Sequence, residues 1–265
     1  MYYDFYGIKQ SPFNITSNPD FFFESTSHKE ALTTLMYGIK EKKGIILITG
    51  EVGTGKTTLC KAFLNRLPPS VKTSLIINPY FSQVQLLQAI ANDFGLNCEK
   101  KDRLSIVQKL NAYLLRLYEE HSTAVVIIDE AQDLTSRQLE QVRLLSNLET
   151  SYHKLLQIIL VGQPELKYKL NHPGLRQIRQ RIFVKYELVP FNIQEVEDYI
   201  YFRLNKVGAK SIKVAPEGLK LIYDFSRGIP RLINMVCERA MLCGFVKGKK
   251  ILDEEVLRAS LEELR

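Results

Sequence analysis

The chain has 265 residues, 45% of them apolar and 25% charged, an ordinary globular composition with length for one large domain or a domain and a smaller companion. No stretch nears the ~18–20 uncharged apolar residues that cross a bilayer, and Met-Tyr-Tyr-Asp at the start is no basic-then-apolar export signal, so a soluble cytoplasmic protein is expected. Cys60, Cys98, Cys237 and Cys243 form no C-x-x-C pair, which disfavours metal and disulfide roles, while the net charge of +7 permits an acidic partner such as nucleic acid or anionic lipid, or simply a basic surface.

Residues 1–30 are aromatic-rich and carry Pro12 and Pro19, which predicts an irregular but ordered arm. Residues 44–49 contain the apolar run Ile45, Ile46, Leu47 and Ile48, a pattern for a strand buried on both faces of a parallel sheet. Directly after it Gly50, Glu51, Val52, Gly53, Thr54, Gly55, Lys56 and Thr57 spell G-x-x-x-x-G-K-[ST], followed by Thr58 and a helical pattern to about Leu67. The glycines let the backbone curl so that successive N–H groups make an anion nest, and the helix adds its positive end. Such a loop predicts a nucleoside triphosphate site, with Lys56 on the β- and γ-phosphates and the Thr57 hydroxyl on Mg²⁺. The alternative is a glycine-rich turn before a solvated Lys-Thr-Thr helix start.

A strand follows at 73–78, then helices at 82–94 and 104–121. The run at 124–129 is a second buried strand, ending in Asp129 and Glu130. An acid at that strand end is the partner a phosphate loop needs: Asp129 is predicted to hold Mg²⁺ and Glu130 to polarise the attacking water, unless Glu130 is only a solvated loop residue. Thr135 and Gln138 form a capping box for a helix expected over 137–149. Strands are predicted at 155–161 and 183–188. Gln163 follows the first of these at the carboxyl edge, where it would sense the γ-phosphate or the lytic water, or serve as a turn residue.

Arg176, Arg179 and Arg181 fall on a short helical stretch. In a side-by-side assembly Arg181, or next Arg179, would enter a neighbour's site as an arginine finger; a solvated or DNA-facing patch is the competing view. From Pro190 the pattern turns helical, with a capping box at Asn192 and Glu195 and further helices at about 217–226, 230–245 and 253–264. Arg231, in Gly228-Ile229-Pro230-Arg231, opens a helix where a cation opposes the helix dipole, which suggests another task such as reaching the γ-phosphate. The bland alternative is a surface arginine. The pattern predicts an α/β nucleotide-binding domain over 1–190 and a helical lid over 191–265.

Taken together, the phosphate loop, the Asp-Glu strand end, Gln163, the arginines before the last strand and Gly-Ile-Pro-Arg resemble an AAA+ ATPase. Phe5-Tyr6-Gly7 with Pro12-Phe13, Ser27-His28-x-Glu30-Ala31-Leu32, Leu144 to Thr150 and Gly162-Gln163-Pro164-Glu165-Leu166 look like the ExeA family, general secretion pathway protein A. The resemblance spans essentially the whole chain. It implies a P-loop NTPase fold with a five-stranded parallel sheet and an all-helical lid, binding and hydrolysis of ATP to ADP with Mg²⁺, and self-association as a ring or filament. It also implies Phe13, Ile229 and Pro230 as walls around the adenine, and a bacterial envelope-assembly partner such as type II secretion machinery. Related ATPases regulate transposition on double-stranded DNA. Many members continue into a transmembrane helix and a peptidoglycan-binding domain; these 265 residues hold neither, so a place in the cytoplasm, peripheral to the inner membrane, is expected.

Overall fold

The apolar runs become strands. In the computed structural model, which describes residues 2–98, 102–151 and 153–264, α1 (Tyr2–Tyr6) and a 3-10 turn (Pro19–Phe21) precede α2 (Thr26–Lys40). Next come β1 (Ile45–Gly50), α3 (Lys56–Leu64), β2 (Val71–Ile76), α4 (Gln83–Asp93), α5 (Arg103–Glu119) and β3 (Thr123–Ile128). After these run α6 (Ser136–Leu145), β4 (Leu156–Gly162), α7 (Glu165–Leu170), α8 (Arg176–Arg181) and β5 (Ile182–Leu188). The remainder is α9 (Ile193–Lys206), β6 (Lys213–Val214), α10 (Pro216–Ser226), α11 (Pro230–Val246), β7 (Ile251–Leu252) and α12 (Glu254–Glu262).

Two compact units result. Residues 29–50 and 59–188 form one; residues up to His28, 51–58 and from Val189 onward form the other. The first is a parallel sheet in the order β2-β3-β4-β1-β5, flanked by helices. Its central strands β1, β3 and β4 are buried almost throughout, which explains their unbroken Val, Ile and Leu runs. Edge strand β5 alternates instead, with Phe183 60% exposed and Lys43 over its ring. Because all five strands run the same way, Gly50, Ile128 and Gly162 end at one edge of the sheet.

In the second unit the arm is more regular than its composition suggests, since α1 and the 3-10 turn lie within it. Tyr6, Ile8 and Phe13 are buried in one core with Phe191, Ile200, Ile233 and Met241. The Tyr6 hydroxyl donates to the Met241 carbonyl at 2.8 Å. Arg203, 5% exposed, donates from Nη2 to the Asn14 carbonyl at 3.1 Å and stacks over Phe21. Burial of aromatic area thus fixes the arm. The helical unit also contains a two-residue parallel pair, β6 with β7, too short to leave a sequence signal.

Several boundaries move for local reasons. Strand β2 lies two residues earlier than expected, because Asn78 takes a left-handed φ of 55° and cannot extend it. Helix α3 stops at Leu64, ahead of Pro68 and Pro69. Helix α6 stops at Leu145, and the chain returns through a bridge between Glu149 and Lys154 into β4. The capping boxes at Thr135/Gln138 and Asn192/Glu195 form as expected, and one that was not expected forms at Ser82/Gln85. Helix α2 was not expected. All four cysteines are free. Among the described residues no helix is long and apolar enough to cross a membrane.

Candidate functional site

Beyond β1 the loop curls at Gly53 and Gly55, whereas Gly50 stays in the strand without the positive φ expected of all three glycines. Gly53 and Gly55 have φ of 83° and 94°, a backbone that side chains resist. Thr54 is fully buried, and both its N–H and its hydroxyl donate to the Glu51 carbonyl, at 3.3 and 2.8 Å. Lys56 opens α3, is 6% exposed, and its Nζ reaches back to the same carbonyl at 2.9 Å. Glu51 and Val52 are exposed, while Thr57 and Thr58 are half-buried in the first turn of the helix.

The loop packs against the start of α11. Pro230 sits at its first position and has no N–H; the Arg231 N–H, which has no intrahelical partner, donates to the Gly53 carbonyl at 3.2 Å. A Cβ on Gly53 would lie 2.8 Å from Arg231 Cβ and 3.0 Å from Ile229 Cγ2. So the glycine is needed twice, for its φ and for this close approach. The preceding turn is similarly tight: Gly228 has φ 76°, and a Cβ there would lie 1.9 Å from the Phe191 carbonyl oxygen. Ile229 is half-buried, Pro230 buried and Arg231 exposed. Phe13, expected as an adenine wall, has 0% exposure and lies inside the helical core.

The sheet unit carries the acids. Asp129 follows β3, is 1% exposed, accepts the Glu130 N–H at 2.9 Å and donates its own N–H to the Ile76 carbonyl at 2.9 Å. Glu130 has φ 51° and ψ 39°, a left-handed conformation uncommon for a non-glycine residue and worth 1–3 kcal/mol of strain as a rough figure. Its Oε2 accepts from Gln163 Nε2 at 3.3 Å, so the structure brings these two expected residues together. Gln132 was missed. Its Nε2 donates to Glu130 Oε2 at 2.6 Å and its Oε1 accepts the Gln163 N–H at 3.0 Å, which ties the ends of β3 and β4 through one amide. Lys169 Nζ in turn donates to the Gln132 and Leu134 carbonyls. Gly162 makes room: a Cβ there would lie 2.8 Å from Gln132 Oε1. No sequence signal marks Gln132, since its role depends on the 3-10 turn over Ala131–Asp133.

The arginines are elsewhere. Arg176, Arg179 and Arg181 lie on α8, which enters β5 at its amino end, so about 20 Å of strand separates them from the carboxyl edge where Glu130 and Gln163 sit. Arg179 Nη1 donates to Asn171 Oδ1 at 3.4 Å. The Glu149 carboxyl is held below its usual range, by Lys154 chiefly and by Arg181 to a lesser extent. Among the described residues, no group of three or more His, Cys, Asp or Glu is placed to hold a metal unaided.

A five-stranded parallel sheet with a glycine loop after β1, an acid pair after β3 and a separate helical unit later in the chain is the architecture of AAA+ P-loop proteins, and the chain belongs to that class; residues 39–170 match the family model described as an AAA domain. Within the class it is similar to general secretion pathway protein A of Aeromonas hydrophila, with 42% identity over 264 residues, 99% of this chain and 48% of that protein. The chain therefore spans about half the length of that relative. It is also similar to the Holliday junction branch migration complex subunit RuvB of Mesomycoplasma hyopneumoniae, 22% identical over 96% of this chain and 74% of that one. Among solved structures, the Aeropyrum pernix ORC2 protein in its ADPNP-ADP complexes superposes with a TM-score of 0.67 at 20% identity, covering 89% of this chain and 66% of that one. The Thermotoga maritima RuvB Holliday junction branch migration motor gives 0.63 at 17% identity, covering 95% and 73%. These two likenesses concern the fold.

Proposed function

We propose that the protein binds ATP with Mg²⁺, hydrolyses it, and works as a self-associating motor or switch in assembling bacterial secretion machinery. The observation that carries this reading is the loop itself: two glycines in left-handed φ, a buried lysine at the helix start and carbonyls held from outside. That backbone suits a triphosphate. The nucleotides in the description of the ORC2 neighbour, and the 42% identity to a general secretion pathway protein, support the ligand and the process respectively.

In this reading Lys56 contacts the β- and γ-phosphates, with Thr58 and the loop N–H groups around them. Thr57 and Asp129 would hold Mg²⁺, and the ion would supply charge neutralisation at the phosphates. Glu130 accepts a proton from the attacking water, Gln163 orients that water or reads the γ-phosphate, and Arg231 approaches the phosphates from α11. Ile229 and Pro230 flank the adenine, and Phe13 supports that wall from within the core. Arg181, or Arg179, acts in a neighbouring subunit, a role consistent with its place at the amino edge of its own sheet.

The shared-site element has a direct test. Steady-state ATPase activity per mole of protein should rise about tenfold or more as protein concentration crosses the self-association range, and Arg181→Ala should remove the rise. Specific activity that stays flat with concentration would dismiss the trans arginine while leaving hydrolysis itself standing.

A second reading has its own support in the charge of +7 and the likeness to RuvB: ATP licenses binding to double-stranded DNA. It predicts duplex binding that requires ATP and weakens steeply between 50 and 200 mM salt, by roughly 10³-fold if about six phosphates are contacted. Fluorescence anisotropy with a labelled duplex would measure this, and binding indifferent to nucleotide would dispose of it.

A further inference from the structure

His28 lies at the start of α2, in the same compact unit as the loop, and is 3% exposed. Its Nε2 lies 3.0 Å from the Thr54 carbonyl oxygen. A carbonyl can only accept, so Nε2 carries the proton. On the other side Nδ1 lies 2.8 Å from Ser25 Oγ, and that hydroxyl accepts the His28 backbone N–H at 3.3 Å, so the hydroxyl proton points to Nδ1. Both ring nitrogens are therefore satisfied by one neutral tautomer. The rings of Phe22 and Phe191 pack edge-on against the imidazole, each with its centroid 5.6 Å away. Burial lowers the His28 pKa; the Thr54 carbonyl and, more weakly, Glu195 oppose that, and the net direction favours the neutral form.

What the imidazole holds is the peptide between Thr54 and Gly55. In a trans peptide the C=O and the following N–H point to opposite sides. Drawing the Thr54 carbonyl toward His28 turns the Gly55 N–H away from it, toward the inner side of the loop. Gly55 lets the ring come this near, because a Cβ there would lie 3.2 Å from His28 Nε2. The Arg231 N–H likewise tethers the preceding peptide by its Gly53 carbonyl, though the N–H of that peptide, from Thr54, donates to the Glu51 carbonyl at 3.3 Å. Left alone, a glycine-flanked peptide flips readily between orientations.

We propose that His28 is a positioning residue for the phosphate loop: its Nε2–H fixes the Thr54–Gly55 peptide with its N–H turned toward the nucleotide phosphates, and Ser25 sets the tautomer. The inference rests on the nucleotide reading above and adds to it a residue outside the loop motif. A glutamine at this position can donate from its amide to the same carbonyl; an alanine cannot.

The test is calorimetric titration of Mg-ATP into the wild type, His28→Ala and His28→Gln, with thermal unfolding of each without nucleotide. His28→Ala should bind about tenfold more weakly, the loss of one hydrogen bond to a charged site. His28→Gln should recover most of that affinity, although its unfolding midpoint falls as far as that of the alanine variant. In ¹⁵N spectra of the wild type, His28 should show a protonated Nε2 and an unprotonated Nδ1. Equal affinity in all three proteins would overturn the positioning role while the nucleotide reading survives. A glutamine variant as weak as the alanine variant would overturn it too, as would a protonated Nδ1. Wild type that takes up no Mg-ATP would instead sink the nucleotide reading and this inference together.

Discussion

Glu130→Gln is expected to lower ATP turnover by roughly 10²- to 10⁴-fold, the contribution of a positioned general base, with Mg-ATP affinity unchanged within about twofold. The substitution keeps the side chain's length and shape, so the left-handed backbone at φ 51° and the contacts with Gln132 and Gln163 can persist with one amide reoriented. What is lost is the ability to take a proton. Single-turnover hydrolysis separates the two effects, because a variant that binds normally and hydrolyses slowly fits only a role in the chemical step. Turnover equal to wild type would remove Glu130 from that role and leave Asp129 as the acid to examine.

Lys56→Ala should fail earlier, at binding. An ammonium directed at phosphate oxygens is worth about 1.5–3 kcal/mol, which is roughly a 10- to 150-fold loss of Mg-ATP affinity. Turnover should vanish at ATP concentrations that saturate the wild type. The fold should survive, because Lys56 Nζ bonds the Glu51 carbonyl at 2.9 Å within the loop, and the hydrophobic cores are built from other residues. Circular dichroism checks the fold, and fluorescence with a labelled nucleotide checks the affinity. A folded variant with wild-type affinity would discredit the phosphate-loop assignment.

Sequence reading reached what is encoded locally. The loop from Gly50 to Thr57 and the strand end at Asp129 and Glu130 are legible because their chemistry resides in residues a few positions apart, next to apolar runs that announce buried strands. Gln163 was legible for the same reason, as the first polar side chain beyond β4. Gln132 and His28 were not, since each acts through a carbonyl or amide from a distant segment, 31 residues away for Gln132 and Gln163, and 26 for His28 and Thr54. Helix α2 escaped because an aromatic, proline-containing stretch precedes it and masks its start. The short β6 and β7 pair and the early end of β2 depend on single turns that composition cannot reveal.

The backing of the loop by His28 bears on how a shortened version of the protein would behave. A fragment trimmed to residues 39–170, the span that matches the AAA domain, keeps every letter of the glycine-lysine signature yet discards both His28 and Arg231. Two carbonyls would then lose their tethers, at Thr54 and at Gly53. Such a minimal fragment would possess the signature without the scaffold that shapes it, so the piece that earns a motif match is smaller than the piece that grips a ligand.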